Sequence, residues 1–130
     1  MIVLDASVVV DLLLNSPMAE AIRSRVFDAH ETLHAPAILD LEVAQTLRRF
    51  AARREISRER GRSVLGILQR LPVTRYPHEL LLRRIWELRE NLTAYDAAYI
   101  ALAEGLNATF LTRDSHLASA PMHRANVELI

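Results

Sequence analysis

Short continuous apolar runs alternate along this chain with longer stretches in which apolar residues recur every three or four positions. The first run is Ile2-Val3-Leu4, which reads as a short buried strand. Residues 7–14 are apolar all round apart from Asp11, the pattern of a buried helix. Pro17 suits the first turn of a second helix, on which Ala21, Ile22, Val26 and Phe27 recur at helical spacing. Residues 32–35 predict a strand ended by Pro36. A third helix then carries Leu39, Val43, Leu47 and Phe50 on one face, with Glu42 at the border of that face. Residues 56–71 predict a fourth, striped by Val64, Leu65, Leu68 and Leu71 and stopped by Pro72. Residues 73–76 suit an edge strand, and a helix from about His78 turns Leu81, Ile85, Trp86 and Leu88 inward. Thr93 opens an Ala-rich helix, and Gly105 before Leu106 predicts its left-handed C-terminal cap. Residues 109–112 and 127–130 read as two more strands.

Strands this short, alternating with helices, imply an α/β fold with a parallel sheet wound by right-handed crossovers. In such sheets a ligand site lies beyond the carboxyl ends of the strands, near the point where strand order reverses. At 130 residues the chain is expected to form one domain over 1–130 and to bury a core without staples.

Composition removes several chemistries. Cysteine is absent, which excludes disulfides, zinc–thiolate sites and thiol nucleophiles and fits a reducing cytoplasm. All 16 basic residues are arginine, so there is no P-loop lysine, no Schiff base and no lysine to contact an acyl phosphate. Three glycines, at 61, 66 and 105, cannot make a phosphate-cradling loop. The opening apolar run is broken by Asp5 and Asp11, which argues against a signal peptide, and no stretch has transmembrane length.

Four carboxylates change the picture. Asp5 ends the first strand, Asp114 follows the strand at 109–112, Asp96 lies in the first turn of the Ala-rich helix, and Glu42 borders the third helix's apolar face. Each has a structural explanation of its own. Asp5 and Asp114 suit helix caps, Asp96 stands at capping-box spacing from Thr93, and Glu42 suits a solvated core boundary. Taken together, they fall at one predicted sheet edge. Clustered hard oxygen ligands are what Mg²⁺ or Mn²⁺ requires, so a metal-dependent phosphodiester hydrolase is the sharp expectation. Ser7 suits either a cap or a hydrogen bond to a ligand, and Asp11 a solvent-facing or locally bonded residue. The histidines at 30, 34, 78, 116 and 123 show no ligand-pair spacing and read as surface or loop residues.

Val3-Leu4-Asp5-Ala6-Ser7, Leu41-Glu42-Val43, Tyr95-Asp96-Ala97-Ala98-Tyr99 and Leu111-Thr112-Arg113-Asp114-Ser115 occur in an order and spacing that resembles the PIN domain, and more closely its VapC-type toxin branch. The resemblance covers nearly the whole chain. It implies a PIN-like three-layer α/β/α domain with a short, mostly parallel central sheet and an acidic pocket for Mg²⁺ or Mn²⁺. It further implies an endoribonuclease, the toxin of a type II toxin–antitoxin pair, acting as a homodimer that a cognate antitoxin occludes. Carried over by position, Asp5, Glu42, Asp96 and Asp114 match the acidic quartet, with Asp5, Asp96 and Asp114 as metal ligands and Ser7 and Thr112 as supporting hydroxyls. Many members place another acid shortly after the last one; here Ser115 and His116 stand there.

Substrate phosphates approaching an acidic pocket need positive charge nearby. Seven arginines lie between residues 48 and 62 against Glu55 and Glu59, a basic patch on the third and fourth helices despite zero net charge. Arg48, Arg49, Arg53 and Arg113 are the candidate contacts to RNA or to an acidic antitoxin segment; the alternative is a solvated helical hairpin. With few aromatics, base stacking would rest on Tyr95, Tyr99 and arginine planes. Rival readings are an RNA-processing PIN nuclease without an antitoxin, a non-catalytic RNA- or protein-binding PIN module, and a receiver-like or phosphatase pocket, which the missing lysine disfavours.

Overall fold

The computed structural model describes residues 1–130. Five strands form one sheet, β1 (Ile2–Leu4), β2 (Leu33–Pro36), β3 (Val73–Tyr76), β4 (Thr109–Thr112) and β5 (Asn126–Leu129), in the order β3-β2-β1-β4-β5. Every neighbouring pair is parallel, with Ile2 in register with both Leu33 and Thr109. Seven helices connect them: α1 (Ala6–Leu13), α2 (Ala19–Val26), α3 (Ile38–Ala52), α4 (Arg58–Arg70), α5 (Leu82–Glu87), α6 (Ala94–Leu106) and α7 (Ser115–Ser119). The chain steps from β1 to β3 in one direction and from β3 through β4 to β5 in the other. Right-handed crossovers therefore place α1–α4 on one face and α5–α7 on the other. The packing agrees, since α1 touches α2, α3 and α4, while α6 lies on β1, β2 and β4 beside α5. Sheet order reverses between β1 and β4, and this switch point is where the site forms.

Ile2, Val3 and Leu4 are wholly buried because helices cover both faces of the central strand, which is why β1 is continuously apolar rather than alternating. They belong to one cluster of 32 buried residues that also holds Val8, Val9, Leu39, Tyr99 and Phe110. The apolar excess of α1 is thereby used within the chain's own core and leaves no free face for a symmetric interface. β3 is an edge strand as expected, and Arg75 fastens it. Its guanidinium donates to Asp40 on α3 and to the carbonyls of Leu68, Leu71 and Val73. Three helix ends and the last strand are tied down by charge as well: Arg84 joins Glu104 at 2.7 Å, and Arg25 joins Glu31 and Glu128.

Several sequence expectations shift. Pro36 ends β2 instead of lying beyond it; β1 pairs only as far as His34, so the missing N–H has no ladder partner to lose. Pro17 precedes α2, which starts at Ala19. The helix expected from His78 is a 3-10 turn, His78–Leu81, followed by the six-residue α5. A 3-10 turn has three residues per revolution, so a stripe extrapolated at 3.6 drifts off the inward face. Trp86 is accordingly 67% exposed and lies under the Arg89 guanidinium, 4.5 Å from its carbon. The end of α6 is also displaced: Gly105 stays helical and Asn107 takes the left-handed position at φ 49°. Asparagine tolerates that conformation almost as glycine does. His34, read as a surface residue, is buried in β2, between the Thr32 and Tyr76 hydroxyls.

Candidate active site

The site is assembled at the carboxyl edge of the sheet from two strand exits and two helices. β1 ends at Leu4 and delivers Asp5, whose own N–H donates to Leu111 of β4 at 3.1 Å. Asp5 occupies the N-cap position of α1 but makes no capping hydrogen bond. Its Oδ2 instead accepts from the Ser7 hydroxyl at 2.8 Å and from the Thr112 hydroxyl at 2.6 Å. Those two donors hold one carboxylate oxygen and leave Oδ1 without a protein donor. Asp114 leaves β4 and caps α7, accepting the His116 N–H at 2.8 Å, while its own N–H donates to Thr112. Thr112, fully buried, therefore fastens Asp5 and Asp114 to one point.

Asp96 comes from the first turn of α6, where its N–H donates to the Thr93 hydroxyl as the capping spacing predicted. Glu42 is brought from α3. Its Oε2 accepts the Tyr99 hydroxyl at 2.6 Å, joining α3 to α6 across the pocket. Burial raises the Glu42 carboxyl above its usual value; the Tyr99 hydrogen bond opposes this, and the charges of Asp5 and Asp96 add to it. Burial likewise raises Asp96, offset in part by Thr93 and reinforced by Asp5 and Asp114. All four acids thus share one electrostatic environment. Tyr99, buried and beside Glu42, is pushed far above the phenol range and stays a donor.

None of the four carboxylates takes part in an ion pair, although ten ion pairs form elsewhere in the chain. Two half-buried, proton-seeking acids without a cation are a destabilising arrangement on their own. A divalent cation would relieve it. No three acidic or histidine side chains close on a single point as a finished ligand set. The donor chemistry still fits Mg²⁺ or Mn²⁺, because such ions keep several waters and bind through few carboxylates. Asp5, Glu42 and Asp114 each present one oxygen that no protein group occupies.

The remaining residues fall in different places. Arg49 lines a depression with Glu42, Gln45, Thr46, Leu41 and Tyr95. Arg48 and Arg53 are exposed on α3 and at its end but do not line it. Arg113 is bound at 2.6 Å by Asp11, so Asp11 serves a long-range ion pair rather than a local bond. Tyr99 is not a stacking surface for bases: it is buried and packed on Phe110, ring centroids 5.7 Å apart. Its role beside Glu42 was missed, yet the three-residue step from Asp96 places both on one helix face and could have flagged it. His78 was missed too. Its Nε2 accepts the Ile38 N–H at 2.9 Å and so caps the helix that carries Glu42.

A match to the PIN domain spans residues 2–121. The chain belongs to the PIN-domain family, and within it to the VapC ribonuclease toxins of toxin–antitoxin systems. It is 43% identical over 130 residues to Ribonuclease VapC9 of Mycobacterium tuberculosis, covering 100% of this chain and 98% of that one. Ribonuclease VapC12 of the same organism is 42% identical, with 100% and 99% covered. Among solved structures, VapBC2 from Rickettsia felis, bound to a DNA fragment from its promoter, superposes with a TM-score of 0.71 at 17% identity, covering 100% and 98%. That likeness shows the PIN fold, with its parallel sheet flanked by helices, and the sequence relatives show the ribonuclease branch. No helix is long and apolar enough to cross a membrane.

Proposed function

We propose that this VapC ribonuclease cuts RNA internally by metal-dependent hydrolysis, with residues 1–130 as a single nuclease domain. The reading rests on one observation above all: four carboxylates without cation partners lie near the β1/β4 switch point, close enough to bear on one another's charge, and in three of them a hydrogen bond to one oxygen leaves the other free. Asp5, Asp96 and Asp114 would hold Mg²⁺ or Mn²⁺, with Ser7 and Thr112 fixing the Asp5 carboxylate. Such an ion, when bound, supplies a lowered water pKa and relief of charge on the phosphate. Glu42, its Oε2 held by Tyr99, keeps Oε1 free to orient the attacking water or take its proton. Water attack in line would leave a 5′-phosphate and a 3′-hydroxyl. The ribose 2′-hydroxyl takes no part in that path, so RNA is selected by binding.

The partners that follow are an RNA substrate, a VapB-type antitoxin that blocks the site, and a second copy of the chain, all in the cytoplasm. Leu80, Leu82 and Trp86, all exposed, are apolar surface available for the homodimer. Light scattering on the purified protein will return twice the 14.7 kDa chain mass if that pairing forms.

Purified protein should cleave total cellular RNA with Mg²⁺ or Mn²⁺ present and be silent in chelator. Asp5→Ala and Asp96→Asn should each lower the rate by at least about a hundredfold, the scale of losing a ligand or its support. Ligation-based mapping should find 5′-phosphates at the cuts. Cleavage persisting in chelator, or in both variants, would remove the metal mechanism.

A further inference from the structure

We infer that the depression beside Glu42 is a nucleotide subsite. In it a base of single-stranded RNA stacks on Tyr95 and the adjoining phosphate is held by Arg49. The inference rests on the nuclease reading above and specifies where its substrate lies. The depression is lined by Ala6, Ile38 and Leu41 together with Glu42, Gln45, Thr46, Arg49 and Tyr95, so Glu42 of the acid site and Arg49 of the basic helix share it, while Asp96 and Asp114 line a separate hollow. Tyr95 is 61% exposed, and its hydroxyl has no partner in the chain. An exposed ring one residue before Asp96 is well placed to stack a base, since every base offers a π face.

Glu42, Thr46 and Arg49 recur at steps of four and three residues, which places them on one face of α3, and Arg53 follows at its C-terminal cap. Thr46 donates to the Glu42 carbonyl and accepts from Arg49 Nη2 at 3.2 Å, so the guanidinium is drawn toward the acid site. Neither Arg49 nor Arg53 has a carboxylate partner, whereas Arg75, Arg84 and Arg113 do. An arginine left unpaired in reach of an acidic pocket supplies the positive charge a phosphate needs there. Gln45, exposed and also without a partner, offers an amide to a base edge. The exposed Tyr95 and the unpaired arginines favour nucleic acid over an acidic peptide, which would leave the aromatic face unused.

The test uses fluorescence anisotropy with a labelled single-stranded oligoribonucleotide, in the full chain silenced by Asp96→Asn. Tyr95→Ala should weaken binding about tenfold, and Tyr95→Phe should restore it. Arg49→Ala should weaken it similarly and lower the slope of log affinity against log salt by about 0.7, the loss of one single-strand phosphate contact. Mn²⁺ affinity, measured by calorimetry in otherwise wild-type protein, should be unchanged by either substitution. Oligonucleotide affinity within twofold of the parent overturns the subsite. So does a loss of Mn²⁺ binding, which would make these residues supports of the acid site. So does a loss confined to antitoxin binding, which would assign the surface to the protein partner. The nuclease reading fails separately, if the wild type cleaves no RNA with either metal, and the binding series still decides the subsite.

Discussion

At the scale of single residues, the site is built by pairing Asp5, Glu42 and Asp114 with neutral donors rather than cations. Tyr99 is the clearest case, since its ring is core and its hydroxyl is functional. Tyr99→Phe keeps the stack on Phe110 but removes the donor that holds Glu42. A hydrogen bond to a charged group contributes roughly 1.5–3 kcal/mol, so denaturant unfolding should show a loss of that order. RNA cleavage should fall at the same time, with its acid limb moving to higher pH because Glu42 loses the group that opposes its protonation. Asp96 gives the opposite sign. Its burial and like-charged neighbours make it unfavourable in the metal-free fold. Asp96→Asn should therefore melt at a higher temperature than the wild type in chelator. Added Mn²⁺ should stabilise the wild type far more than the variant. A variant that melts lower in chelator would show that the acids are not strained against one another.

Among the elements, α3 carries the heaviest duty. It presents Glu42 and Arg49 on one face, buries Leu39, Val43 and Leu47 on another, and is held at its start by His78 and along its side by Arg75. Its first turn has no side-chain cap of its own, so His78 replaces one from forty residues away. His78→Ala should cost about 1 kcal/mol, the usual worth of an N-cap, and lower cleavage by loosening the helix that holds Glu42. By contrast Ser57, which caps α4 through the Arg60 N–H, lies away from the acids. Ser57→Ala should cost a similar amount in a thermal melt and leave cleavage unchanged.

For the molecule as a whole, two sets of carboxylates pull stability in opposite directions with pH. Glu31 is held below its ordinary 4.5 by the chain's amino terminus and Arg25, and Glu104 by Arg84 and the Arg124 N–H. Their contribution is complete above pH 4.5 and is lost as pH falls through their lowered values. Glu42 and Asp96 are raised, so the folded state holds their protons more tightly than the unfolded chain does. Stability is therefore lost as pH rises above their ordinary values of 4.5 and 3.8. The metal-free protein should consequently be most stable at a lower pH than the Mn²⁺-loaded protein. Chemical denaturation across pH 3.5–8, with and without Mn²⁺, measures the displacement. Coincident optima would contradict it. The strands, most helices and the acids' arrival at one edge were readable because they depend on local periodicity and on a handedness that any parallel crossover obeys. Three features were not readable: the 3-10 turn that sends Trp86 outward, the left-handed Asn107, and the burial of His34 and Tyr99. His34 and Tyr99 are buried by neighbours distant in sequence, whereas the 3-10 turn and the capping by Asn107 are local alternatives that apolar periodicity does not separate. The chain by itself determined which residues carry charge and which faces are apolar. Only the tertiary structure decided that Arg113 is tied to Asp11, that Arg49 is left without a carboxylate partner, and that the tyrosine one turn after Asp96 reaches Glu42 on another helix. Pairing of charged and polar groups is set by which side chains the packed core brings within hydrogen-bond reach, and linear spacing does not encode that.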